Sequence, residues 1–222
     1  MAEIGAVLLA AGASQRFGRD NKLLAPLGGK RLIRRVAEEV LDSGAEVVVV
    51  TGCDHLLVEQ SLEGLPLRFA KNSTWRRGMG SSIAVGVKAL GSEVLGSFII
   101  PGDMPFLTSA LLKYLIAAFK ESRAASIVYP TTRAEGQRNP VLWPRRFFPL
   151  LASLNGPAGA KQLLESFQRS QRPAPVEDEG VFIDIDLPTD LESARSRWRP
   201  LNLDRLRADC SEGNLSHPRR RE

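Results

Sequence analysis

Val7-Leu-Leu-Ala-Ala-Gly-Ala-Ser-Gln-Arg-Phe-Gly-Arg-Asp-Asn-Lys22 decides how the chain is read. The apolar run from Ile4 to Ala11 shows no polar alternation, the pattern of a parallel strand buried on both faces. It ends abruptly in the small residues Gly12, Ala13 and Ser14, followed by Arg16 and Lys22. Little or no side chain at these positions lets successive backbone N–H groups approach an anion. Arg16 adds a planar fork suited to phosphate oxygens and Lys22 adds a point charge. The stretch has the outline of a triphosphate cradle. It is not a Walker A loop, because no Gly-Lys-Ser/Thr follows at the required offset, and it lacks the dinucleotide fingerprint. The plain alternative is a tight strand-to-helix turn with solvated cations.

Outward from this loop, strands and helices alternate. Leu32, Ile33, Val36, Ala37, Val40 and Leu41 recur at helical spacing with charges on the other face. The β-branched run from Glu46 to Thr51 reads as a second parallel strand, 54–62 as a short helix, and 67–70 as a third strand. In Gly78-Met-Gly-Ser-Ser82 the glycines free the backbone, and Ser81 or Ser82 is placed to cap the helix that begins there. Residues 94–100 form a fourth strand, 108–122 a helix capped by Thr108 or Ser109, and 125–129 a fifth strand that Pro130 ends. Beyond it the regular winding breaks: a loop over 131–139, a short strand over 140–143, and a helix opening at 155–161. The last strand is read at 181–186, where Asp184 and Asp186 share a face by the two-residue period. A helix start follows at Leu187-Pro-Thr-Asp190.

The fourth strand runs into Pro101-Gly-Asp-Met-Pro105. In an open parallel sheet, ligands gather beyond the carboxyl ends of the strands, where Asp103 would point. Asp103 is then either a turn residue bonding its own backbone or a ligand for Mg²⁺, which takes one or two carboxylates and fills its shell with phosphate oxygens and water. Asp186 is likewise either a helix cap or a ligand.

Leu9-Ala10-Ala11-Gly12, Ser14, Arg16, Phe17-Gly18 and Asn21-Lys22 resemble the signature of the MobA-like nucleotidyltransferases that make molybdenum cofactor dinucleotides, in particular the cytidylyltransferase branch. Trp75, Gly78-Met-Gly-Ser-Ser82, Gly102-Asp-Met-Pro105, Asn139-Pro-Val141 and Gly159-Ala-Lys161 extend the likeness over most of residues 4–198. The resemblance implies a single-domain α/β fold, Rossmann-like, with a mostly parallel twisted sheet, helices on both faces and a small acceptor-binding insertion. It implies a Mg²⁺-dependent transfer of CMP from CTP to the phosphate of molybdopterin or molybdenum cofactor, with a molybdoenzyme apoprotein as recipient of the product. Arg16 and Lys22 would be catalytic. Leu9, Ala10, Ala11, Gly12, Ser14, Gly80, Ser81 and Ser82 would bind nucleotide, and Asp103 and Asp186, with Asp184 second, would hold the metal. Asn139, Pro140, Gly159 and Lys161 would meet the acceptor. The guanylyltransferase branch has Gly where this chain has Ala11, which favours CTP over GTP. The family also carries an acid where Pro157 stands here. A guanylyltransferase, a relative using another phosphate acceptor, or a non-catalytic cofactor chaperone are the alternatives.

The chain's 222 residues carry a net charge of +5. Residues 195–222 hold eight arginines against four acids, which leaves about +1 for everything before and gives no support to a nucleic-acid surface on the domain. Residues 199–222 read as a basic, poorly ordered tail, and deletion of residues 200–222 is expected to be tolerated. No apolar run approaches the roughly 20 residues that span a bilayer, and the first residues lack a secretory pattern. A cytoplasmic protein without a membrane partner is expected. Cys53 and Cys210 lie far apart with no partner at metal-ligand spacing.

Overall fold

A computed structural model describes residues 3–132 and 136–198. The elements in chain order are β1 (Ile4–Ala10), β2 (Pro26–Leu27), β3 (Lys30–Arg31), α1 (Leu32–Asp42), β4 (Glu46–Thr51), α2 (His55–Ser61) and β5 (Arg68–Lys71). They continue with α3 (Met79–Lys88), β6 (Gly96–Pro101), α4 (Ser109–Glu121), β7 (Ile127–Thr131), β8 (Val141–Pro144), α5 (Phe148–Ala152), α6 (Lys161–Ser166) and β9 (Gln171–Pro175). A final helix, α7, runs over 188–198. Seven strands make one sheet in the order β5-β4-β1-β6-β8-β7-β9, and β2 and β3 form a separate hairpin. Within the large sheet only β8 runs antiparallel to its neighbours.

The β1 sequence supplies both cores. Ala6, Leu8 and Ala10 point into a cluster with Leu32, Ile33, Val36 and Val40 of α1 and with Leu112, Leu115 and Phe119 of α4. Val7 and Ala11 point the other way, toward Ile83 and Val87 of α3, Leu151 of α5 and Leu164 of α6. Strand alternation therefore sends each neighbour to an opposite face, and helices cover both. Thr108 caps α4, its side chain accepting from the Leu111 N–H at 3.2 Å.

From β1 the chain builds β4 and β5 to one side, then crosses to β6 on the other. The carboxyl ends of β1 and β6 thus part at the point where strand order reverses, the place where open sheets bind ligands. Gly102 lies at that fork. Its N–H donates to the Leu9 carbonyl at 3.0 Å, and a Cβ there would come within 2.7 Å of the same oxygen. The close approach fixes the Pro101–Asp103 turn against β1.

Several expectations are corrected. Pro130 does not end its strand; it sits inside β7 opposite Ala174. Residues 181–186 are not a strand: a 3₁₀ turn over Glu179–Phe182 is followed by extended backbone outside any ladder. The partner position beside β7 is filled instead by Gln171-Arg-Pro-Ala-Pro175. Val181, Phe182 and Ile185 give the later segment its apolar character by packing into the core. Its backbone is tied to the fork by the Ile185 N–H, which donates to the Asp103 carbonyl at 3.0 Å. The expected basic tail, 199–222, lies outside the described residues.

Candidate active site

The loop after β1 is held by side chains. Ser14, at φ 52° and ψ 34°, occupies the left-handed region. Its hydroxyl donates to Asn21 Oδ1 at 3.3 Å and accepts the Lys22 N–H at 3.2 Å. Asn21 in turn accepts from Leu23 N–H at 3.1 Å and donates to Asp54 Oδ2 at 3.2 Å. These bonds bend the loop back so that Lys22 lines the same cleft as Gly12, Ala13 and Ser14. The amides of Gly12, Ala13 and Ser14 have no hydrogen-bond partner among the described residues, as in a backbone nest for anions. A Cβ at Gly12 would meet nothing; packing does not demand glycine there, and the bare backbone keeps the floor of the cleft open.

Lys22 joins the loop to the two acids. Its ammonium lies 2.5 Å from Asp103 Oδ2 and 2.8 Å from Asp186 Oδ1, while Arg16 reaches Asp186 Oδ2 at 3.1 Å. Lys22 is 14% exposed, against 73% for Arg16. Burial opposes the Lys22 charge, but the Asp103 and Asp186 carboxylates outweigh it and hold its pKa above the ordinary lysine value. The Lys22 hydrogen bond, followed by the Lys22 and Arg16 charges, holds the Asp186 carboxyl below the usual range against its partial burial. Asp184 behaves oppositely. Desolvation first, then the Asp103 charge, pushes its pKa up to about 6, with Arg138 pulling it down.

Asp186 is not a cap. The capping role belongs to Asp190, whose Oδ2 accepts from the Asp186 and Leu187 N–H groups at 2.9 and 2.7 Å. That arrangement releases the Asp186 side chain toward the cleft. A divalent cation fits this donor set in one specific respect: Asp103 Oδ1 is buried and has no hydrogen-bond partner, so an anionic oxygen is left for a cation. No group of three or more His, Cys, Asp or Glu able to hold a metal occurs among the described residues. Two carboxylates with the rest of the shell from phosphate and water is the pattern of Mg²⁺.

The cleft around these groups has a volume of about 740 Å³ and a second cavity of about 300 Å³ adjoins it. Leu9, Met79, Pro101, Asn139 and Asp184 line both.

Residues 6–173 match the sequence profile of the MobA-like NTP transferase domain. The chain belongs to this family. The NTP transferase is 33% identical over 165 residues to the nicotine blue oxidoreductase of Paenarthrobacter nicotinovorans, a match covering 71% of this chain and 79% of that protein. It is 30% identical over 204 residues to a probable molybdenum cofactor guanylyltransferase of Natronomonas pharaonis, covering 89% and 99%. Among solved structures, an Rv0371c homologue from Mycobacterium sp. strain JC1 superposes with a TM-score of 0.78 at 27% identity, covering 90% of this chain and 98% of the other.

In the NTP transferase, the expected nucleotide residues Leu9, Ala11, Gly12, Ser14 and Ser82 line the large cleft, together with Arg16, Lys22, Asp103, Asp184 and Asp186. Ala10, Gly80 and Ser81 do not. Ala10 is packed in the α1 core, and the Gly80 N–H donates to the Gly156 carbonyl at 2.9 Å. Neither serine caps α3: Gly78 is the N-cap residue, without a side-chain bond, and both hydroxyls accept from Asn72 Nδ2. On the acceptor side, Asn139 and Lys161 line the second cavity, whereas Pro140 and Gly159 line neither cavity. The sequence reading missed Arg138, Gln137 and Arg76. Arg138 lines the second cavity and donates to the Phe182 carbonyl at 3.1 Å, and Arg76 stands 4.3 Å over the Trp75 ring at the cleft wall. Adjacency to Asn139-Pro140 and Trp75 was the only available signal.

Proposed function

We propose that this NTP transferase moves CMP from CTP to the phosphate of molybdopterin or its molybdenum form, releasing pyrophosphate and delivering the dinucleotide cofactor to a molybdoenzyme apoprotein. The observation that carries the reading is the Lys22 ammonium bound between Asp103 and Asp186 at the strand-order switch, in the same cleft as the unpartnered amides of Gly12, Ala13 and Ser14. In this reading an acceptor phosphate oxygen attacks the α-phosphorus in line, and the bond to the β-phosphate oxygen breaks. The attacking oxygen is already anionic, so no general base is needed.

The chain's own task is positioning and relief of charge repulsion. Amides of Gly12, Ala13 and Ser14, with Arg16 and Lys22, receive the triphosphate and the leaving pyrophosphate. Asp103 and Asp186, with Asp184 beside them, would hold Mg²⁺, which supplies Lewis-acid neutralisation of the phosphate oxygens. Asn139 and Lys161 in the second cavity receive the acceptor, and Arg138 flanks it. Ala11, which lines the cleft where the resembled guanylyltransferase branch has Gly, is taken to favour the smaller base. The relatives named as guanylyltransferases favour GTP as the second reading.

Pyrophosphate release with Mg²⁺ and molybdopterin separates them. Release with CTP in preference to GTP and ATP supports the cytidylyl assignment; preference for GTP replaces it with guanylyl transfer, and no release with any nucleotide overturns both.

A further inference from the structure

Asn72 is 1% exposed and every polar valence of its amide is used. Its Oδ1 accepts from the Thr74 N–H at 2.9 Å and from Thr74 Oγ1 at 3.1 Å. The backbone N–H is an unambiguous donor, so it fixes the oxygen on the Thr74 side and turns Nδ2 toward α3. There the two amide hydrogens go to Ser81 Oγ at 2.9 Å and Ser82 Oγ at 3.0 Å. Both serines are therefore acceptors toward Asn72, and each must place its own proton elsewhere. Ser81 gives its proton to the Gly78 carbonyl at 2.8 Å. Ser82 has no acceptor among the described residues, and of the two serines it alone lines the cleft.

We propose that Asn72 is a positioning residue that fixes the Ser82 hydroxyl as a hydrogen-bond donor into the cleft, so that the ligand atom meeting Ser82 is an acceptor. This rests on reading the cleft as the nucleotide site. On a nucleobase it selects a keto oxygen or an unprotonated ring nitrogen. Cytosine presents two such atoms side by side, N3 and O2, whereas guanine presents the N1–H and N2–H₂ donors at the corresponding two positions and its keto O6 at the third. A donor hydroxyl with its lone pair already engaged thus adds to the preference assigned to Ala11, by chemistry instead of size. Asn72 touches no ligand; it acts through Ser82.

The test is equilibrium binding of CTP and GTP to the full chain, without acceptor, for the wild type and for Ser81→Ala, Ser82→Ala, Asn72→Asp and the Asn72→Asp/Ser82→Ala pair. A carboxylate at 72 accepts instead of donating and draws the Ser82 proton out of the cleft. Ser82→Ala and Asn72→Asp are each expected to weaken CTP binding about tenfold, as for one lost hydrogen bond. The pair should be no weaker than either alone, and GTP binding should change little. Ser81→Ala should stay within about twofold of wild type, since its hydroxyl faces protein. Equal losses for Ser81→Ala and Ser82→Ala overturn the proposal, as does a further tenfold loss when Asn72→Asp is added to Ser82→Ala, which is the mark of general damage. Should Asn72→Asp not fold, 2-thio-CTP keeps the test open: the weakened acceptor should cost the wild type affinity and leave Ser82→Ala unaffected, and an equal cost in both overturns the proposal. Failure of the wild type to bind any nucleotide would instead overturn the nucleotide reading of the cleft, and this proposal with it.

Discussion

Replacing Lys22 by Met keeps the length of the side chain and removes the charge that separates two carboxylates. Lys22, Asp103 and Asp186 are 14%, 18% and 35% exposed, so the cluster lies between a surface pair and a buried one. Exposed pairs contribute up to about 1 kcal/mol, and breaking a buried pair by deleting one partner costs about 3–5 kcal/mol. Arg16 continues to neutralise Asp186 at 3.1 Å, but among the described residues Lys22 is the cation paired with Asp103. A loss of about 2 kcal/mol follows, or a fall of roughly 4–8 °C in Tm for a domain of this size. The assay is urea denaturation in EDTA at neutral pH and low salt. Asp103→Asn in the Lys22→Met background should recover most of the loss, because it removes the stranded carboxylate. Millimolar Mg²⁺ should stabilise Lys22→Met more than the wild type, since a cation then has no ammonium to displace. Turnover should fall by orders of magnitude. A Lys22→Met protein as stable as wild type, indifferent to Asp103→Asn and to Mg²⁺, would refute the coupling of the three charges.

Three further outcomes are expected. Asp184 has a native pKa of about 6, above its unfolded value, so the native state keeps this proton to higher pH and its ionisation opposes folding fully only above that pH. Asp184→Asn should therefore raise the Tm of metal-free protein at pH 8, with the gain shrinking to nothing by about pH 4; a gain that grows toward acid contradicts this. Gly102→Ala would press a Cβ to 2.7 Å from the Leu9 carbonyl, costing about 1–3 kcal/mol by denaturation and cutting turnover by moving Asp103. Thr108→Ala removes the α4 cap and should cost about 1 kcal/mol in the same assay with turnover unchanged.

Strands β1 and β4 were legible because both of their faces are buried, which writes an unbroken apolar run into the sequence. Helix α1 was legible from its apolar stripe and α4 from its cap. β9 was not, since Gln171-Arg-Pro-Ala-Pro175 carries two prolines that normally argue against a strand. It is an edge strand with one neighbour, β7, and it survives because a ladder on one side leaves room for residues without an N–H. Val-Phe-Ile-Asp-Ile-Asp186 misled in the opposite sense: its apolar residues report burial beneath the cleft, and burial alone does not imply a pairing partner. The cradle and Asp103 were visible as residue types following strand ends, and Asp186 through the resemblance. Their mutual geometry was not, because the contact from Lys22 to Asp186 crosses 164 positions of sequence. Asn72 escaped notice for a related reason: a buried amide becomes informative only when its four partners are known.

The most direct measurement of the account is a single-turnover reaction of the full chain with molybdopterin, Mg²⁺ and CTP labelled at the α-phosphorus. The account predicts the label in a pterin dinucleotide, one pyrophosphate released per label transferred, and loss of both in Asp103→Asn. Label recovered only as free CMP, or transfer undiminished in Asp103→Asn, would contradict it.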